Sequence, residues 1–138
     1  GRAGPRRPGA VVTAVLDAWA VLHLLTQRDA AARRVSAALD ARPVMSWVNL
    51  GEVAYVIARR HGPAAADSVV RDLRPRLRLE AATEERTLAA ARLKATHGCP
   101  YADAFAAATA AAHDGILLTG DPDLLVPGAP WRWEDLRR

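Results

Sequence analysis

The sequence predicts a single α/β domain, with a central parallel sheet of about four to five strands and helices on both faces. Three observations carry this. Short apolar runs rich in β-formers alternate along the chain with longer stretches of helical period. Alanine is abundant, and it favours helix because it loses no side-chain entropy there. No internal repeat or linker divides the 138 residues, a length that supports one core without disulfide staples.

The elements follow in order. Val11 to Leu16 is a buried strand ending at Asp17. Ala18 to Thr26 is a short helix with Leu22 and Leu25 inward, and Asp29 to Ala41 is a second helix that stops before Pro43. Pro43 to Met45 is a short strand. Ser46 caps a helix that runs to about Arg60 and stops at His61-Gly62, with Val48, Leu50, Val53, Val56 and Ile57 at helical spacing. Pro63 opens the next helix, to Leu73, and Arg76 to Glu80 alternates like a half-exposed strand. Thr83 caps a helix over Glu84–His97, with acids in its first turn. Pro100 begins an Ala-rich helix to about His113. Ile116 to Leu118 is a buried strand, and the tail from Trp131 forms a last edge strand.

Composition narrows the function classes. The single cysteine, Cys99, excludes an internal disulfide and fits a reducing cytoplasm. The four histidines lack zinc spacing. No apolar run reaches the ~20 residues that span a bilayer, so no membrane association is expected. Residues 1–10 have no apolar core and are not a secretory signal; they are expected to be a disordered lead-in or an expression remnant, leaving 11–138 as the domain. Arg2, Arg6 and Arg7 supply much of the +4 formal charge. Without them 16 basic residues face 15 acids, so bulk charge says little about a nucleic-acid partner.

Four carboxylates stand out. Asp17 and Asp121 directly follow apolar strands, and ligands of open α/β sheets collect at the carboxyl ends of strands. Taken alone, each is more often explained as a cap of the following helix. Glu52 lies in an otherwise apolar helix, on a polar stripe with Asn49 and Arg59 that faces either solvent or a cleft. Asp103 is the one charged residue between Pro100 and Ala112, where it also suits the helix dipole. Asp123 is a fifth candidate, with stabilisation of the DPD turn as its commoner role. The tryptophans are expected in the core or an interface rather than as base-stacking platforms.

The segments VLDAWAVLHLL (15–25), SWVNLGEVAYVIARR (46–60), CPYADAFAAATAAAHDGILLTGD (99–121) and PDLL (122–125) resemble the PIN domain, most closely the toxin ribonucleases of VapBC-type toxin–antitoxin modules. The resemblance implies a PIN-like nuclease domain. It implies that Asp17, Glu52, Asp103 and Asp121 form the catalytic and metal-binding set, with Asn49, Thr119, Asp123 and Arg59 in support. It further implies Mg²⁺ or Mn²⁺ as cofactor and hydrolysis of RNA to 5′-phosphate and 3′-hydroxyl ends. The implied partners are an RNA substrate, a cognate VapB-like antitoxin and a second copy of the chain, without direct DNA binding by this chain alone. One departure is visible: many relatives have Ser or Thr soon after the first Asp, where this chain has Ala18 and Trp19.

Two alternatives stand beside this. A receiver-like phosphoryl-transfer domain also puts acids at strand ends, although it wants adjacent acids after the first strand and a Lys after a late one. A non-catalytic interaction domain of the same fold would keep the acids as structural residues.

Overall fold

The computed structural model describes residues 12–138. The expected lead-in, and Val11 at the start of the first expected strand, lie outside the described residues. The order is β1 (Ala14–Leu16), α1 (Ala18–Thr26), α2 (Ala30–Leu39), β2 (Val44–Ser46), α3 (Trp47–His61), α4 (Pro63–Leu73), β3 (Arg78–Glu80), α5 (Glu84–His97), α6 (Tyr101–Ala112), β4 (Ile116–Thr119) and β5 (Arg132–Asp135). A 3-10 turn at Arg74–Arg76, opened by Pro75, leads into β3.

All strand pairs are parallel, in the order β3-β2-β1-β4-β5. The chain lays β1, β2 and β3 outward in one direction, then returns to place β4 on the other side of β1. The switch point therefore falls between β1 and β4, where such sheets open a crevice at their carboxyl ends. A receiver-like sheet runs 2-1-3-4-5, so this order removes that alternative.

Strand residues alternate between two cores. Leu16, Met45 and Leu118 face α1 to α4, packing with Val21, Val35, Leu50 and Val53. Val15, Val44 and Leu117 face the other way, against Ala106, Ala107 and Ala110 of α6. Alanine there lets α6 lie close to the sheet. Helix ends are closed by side chains: Asp29 accepts the Ala32 N–H at 2.9 Å, Ser46 that of Val48 at 3.1 Å and Thr83 that of Arg86 at 3.1 Å. Gly98 ends α5 in the left-handed region, φ 69°.

Some expectations shift. Asp29 caps α2 rather than lying within it. The inward face of α1 is Ala18, Ala20 and Val21; Leu22 is only partly buried and Leu25 is 40% exposed. Packing of Ala18, Ala20 and Val21 in the core, with Leu22 and Leu24 at its margin, leaves Leu25 facing out. Cys99 is buried and free. Trp131 is buried, its indole N–H donating to the Leu124 carbonyl at 2.9 Å. No helix among the described residues is long and apolar enough to cross a membrane.

Gly115 shows how tightly the switch point is joined. A Cβ there would lie 2.6 Å from the Thr13 carbonyl oxygen and 3.3 Å from Val15 Cγ2. The same carbonyl accepts the Ile116 N–H at 2.8 Å, so the backbone cannot retreat without weakening the β1–β4 junction. Gly115→Ala should destabilise the fold by about 1–3 kcal/mol, read as a lower urea midpoint; an unchanged midpoint would show that β1 and β4 are less tightly coupled.

Candidate functional site

Asp17 follows β1 at once and caps α1. Its Oδ1 accepts the Ala20 N–H at 2.8 Å and its Oδ2 accepts the Thr119 hydroxyl. The sheet register explains the second bond. Leu16 pairs with Leu118, so the next residues of the neighbouring strands meet. Thr119 in turn accepts the Asp121 N–H at 2.9 Å. One hydroxyl thus joins the first acid to the backbone of the last. Asp17 is 2% exposed and Thr119 wholly buried, so this is a fixed arrangement.

Asp103 comes from the first turn of α6 and is also buried. Its carboxyl lies close enough to that of Asp121 to share a hydrogen bond with it when one of the two is protonated. Asp123 joins them: its N–H donates to Asp121 Oδ1 at 2.9 Å, making the expected DPD turn, and one carboxylate oxygen from each of Asp103, Asp121 and Asp123 lies within 4.8 Å of the others. Turn and cluster membership coexist in this residue, and the sequence signal for both is its two-residue spacing from Asp121.

Glu52 projects from the middle of α3 and is half-buried, close enough for its charge to act on Asp17 and Asp103. Asn49, one turn earlier, is buried and donates from Nδ2 to the Ala102 carbonyl at 2.9 Å. That bond ties the Glu52 helix to the turn carrying Asp103. Arg59 is exposed and lines a surface cavity of about 400 Å³ with Tyr55, Val56 and Arg60. The structure therefore brings Asp17, Asp103, Asp121 and Asp123 together with Thr119, sets Glu52 and Asn49 beside them, and leaves Arg59 on the outer surface of α3.

The electrostatics follow from burial and crowding. Burial pushes the Asp17 carboxyl from an ordinary 3.8 up to about 7; its bonds to Thr119 and Ala20 oppose this, and the charges of Asp121 and Glu52 add to it. Burial, then the charge of Asp121 and the bond shared with it, push Asp103 up to about 8. Glu52 is raised by burial and by Asp121. Every side chain in the group presents acceptors, and Asn49 Oδ1 is buried with no partner among the described residues. A surplus of hard oxygen acceptors with repelling charges calls for positive charge and for donors. A hydrated divalent cation supplies both, and Mg²⁺ and Mn²⁺ suit such ligands. The residues present fit that group.

A carboxyl raised in the folded state binds its proton more tightly there than in the unfolded chain. The metal-free fold is therefore favoured below its folded-state pKa and loses stability as pH rises from about 4 through 8. Asp29, Glu80 and Asp135 are lowered instead, so their contributions are lost as pH falls rather than as it rises. In chelator, the urea midpoint should fall between about pH 5 and 8.5, and Asp103→Asn should flatten the fall. A midpoint that rises with pH in the wild type would show that the acids do not crowd one another.

The comparisons with known proteins agree with this architecture. The PIN domain family model matches residues 14–128. Among solved structures, VapBC2 from Rickettsia felis, bound to a promoter DNA fragment, has a chain that superposes with a TM-score of 0.71 at 14% identity, covering 89% of this chain and 98% of its own. VapC20 from Mycobacterium tuberculosis, described as a sarcin-ricin loop cleaving toxin, gives 0.71 at 22% identity over 87% and 99%. VapBC-1 from nontypeable Haemophilus influenzae gives 0.70 at 21% over 91% and 99%. Identities this low show a shared fold. No curated protein sequence matches significantly.

Proposed function

The chain belongs to the PIN domain family, and from that premise we propose that it is a metal-dependent endoribonuclease acting as the toxin of a toxin–antitoxin pair. The observation that carries this reading is the convergence of Asp17, Asp103 and Asp121 at the switch point, with Thr119 joining Asp17 to Asp121 and burial and like charge raising Asp17 and Asp103. The likeness to VapC20, described as a sarcin-ricin loop cleaving toxin, supports a nucleic-acid substrate, which we take to be RNA.

Asp17, Asp103 and Asp121 would hold the cation, with Asp123 placed to join them. When bound, Mg²⁺ or Mn²⁺ acidifies water and offsets charge on a phosphate. Glu52, raised by burial and by Asp121, is suited to orient the attacking water and take its proton. The water oxygen bonds to phosphorus, the bond to the 3′ oxygen breaks, and solvent protonates that oxygen. The products carry 5′-phosphate and 3′-hydroxyl ends. Thr119 holds Asp17 in one orientation throughout, and Asn49 keeps the Glu52 helix against the Asp103 turn.

Likeness to chains from VapBC complexes supports a VapB-like antitoxin as partner, and the single cysteine fits action in the reducing cytoplasm. On α3, Trp47 at 38% exposure, its ring covered on one side by Arg74 at 5.4 Å, and Tyr55 at 53%, one turn either side of exposed Gly51, form an aromatic face that suits a second copy of the chain.

Asp17→Asn and Asp103→Asn preserve the side-chain shapes while removing charge. Each should stay folded and lose RNA cleavage beyond the roughly 10- to 100-fold that follows removal of an outer hydrogen-bond partner, and chelator should abolish cleavage by the wild type. Timed digestion of a structured RNA with Mn²⁺ checks this; full activity in either folded variant would defeat the site assignment.

A further inference from the structure

Trp19 lies two positions after Asp17, in the first turn of α1. A Cβ on Gly120 would lie 2.3 Å from its Cζ2, 2.4 Å from Cη2 and 2.6 Å from Cε2. The six-membered ring is therefore laid directly against Gly120, the residue between Thr119 and Asp121. No side chain fits there, which gives a physical reason for glycine in TGD. The ring is itself held. His23, one turn along α1, stacks on Trp19 with centroids 4.6 Å apart and planes 9° from parallel. His23 Nε2 meets the Asp29 carboxylate at 2.8 Å, and Asp29 also caps α2.

A cavity of about 390 Å³ opens beside this pair, lined also by Leu136 and Arg137. The indole is partly buried, packed against the core on one side and stacked on the histidine, with open space only on the cavity side. Asp17 and Trp19 share the first turn of α1, and Thr119 and Asp121 flank Gly120. The ring is thus a rigid spacer between the two backbone segments that carry the first and last acids.

We propose that Trp19 is a positioning residue for the cation site: laid against Gly120 and steadied by His23 and Asp29, it sets the separation of Asp17 and Asp121. The proposal rests on the reading of these acids as a cation site. It assigns Trp19 no contact with substrate or metal. A misplaced carboxylate loses affinity and rate even where the fold persists.

Calorimetric titration with Mn²⁺, alongside RNA cleavage at saturating Mn²⁺, tests this. Trp19→Ala should bind Mn²⁺ about 10- to 100-fold more weakly while its circular dichroism stays native. Trp19→Phe, which keeps a flat ring, should bind close to wild type. Gly120→Ala should weaken binding by driving the ring outward, and Gly120→Ala combined with Trp19→Leu should recover part of that loss. Wild-type Mn²⁺ affinity in Trp19→Ala overturns the proposal. So does a double variant that binds no better than Gly120→Ala, a comparison that still decides if Trp19→Ala fails to fold. A wild-type chain that binds Mn²⁺ yet leaves RNA intact defeats the nuclease reading alone; one that binds no Mn²⁺ overturns both.

Discussion

The rest of the site depends on one buried hydrogen bond, from the Thr119 hydroxyl to the Asp17 carboxylate. It crosses from β4 to β1, the two strands between which the sheet reverses its order. A carboxylate with 2% exposure is costly to keep ionised without partners. Asp17 has two, the hydroxyl and the Ala20 N–H, and both approach from the protein side. The same hydroxyl accepts the Asp121 N–H, so the fold places the loop after β4 by satisfying the acid after β1.

Electrostatic repulsion is the counterpart of that order. Desolvation and like charge raise Asp17, Asp103 and Glu52 together. Stability alone does not account for such a group, because neutral side chains would fill the space at lower cost. The acids converge at the topological switch point, the place where open α/β folds bind ligands. Function is the economical explanation of such a cluster, and a divalent cation is a partner that suits its chemistry.

Much of the fold was legible because its signals are local. Caps at Ser46 and Thr83, breaks at Pro43, Gly62 and Gly98, and apolar runs before Asp17 and Thr119 each mark an element within a few residues of sequence. Alternation said less, since most strands are only three or four residues long. Leu25 misled because α1 is apolar on most sides, so hydrophobicity does not single out the face that packs on the core. The strand order could not be read, since it depends on which strands meet rather than on what they contain. In the candidate site, Asp17 and Asp121 were visible from strand ends. The proximity of Asp123 to Asp103, and the contact between Trp19 and Gly120, join residues 20 and about 100 positions apart. No local pattern carries that information.

Proton release on cation binding tests the central claim most directly. Calorimetric titration of the wild type with Mn²⁺ near pH 6, repeated in buffers of different ionisation enthalpy, counts the protons displaced. With Asp17 raised to about 7 and Asp103 to about 8, the account predicts release of more than one proton per cation at about pH 6, fading to nearly none above about pH 9. Binding heats independent of the buffer would mean that the acids are not held protonated by burial and one another, and would contradict it.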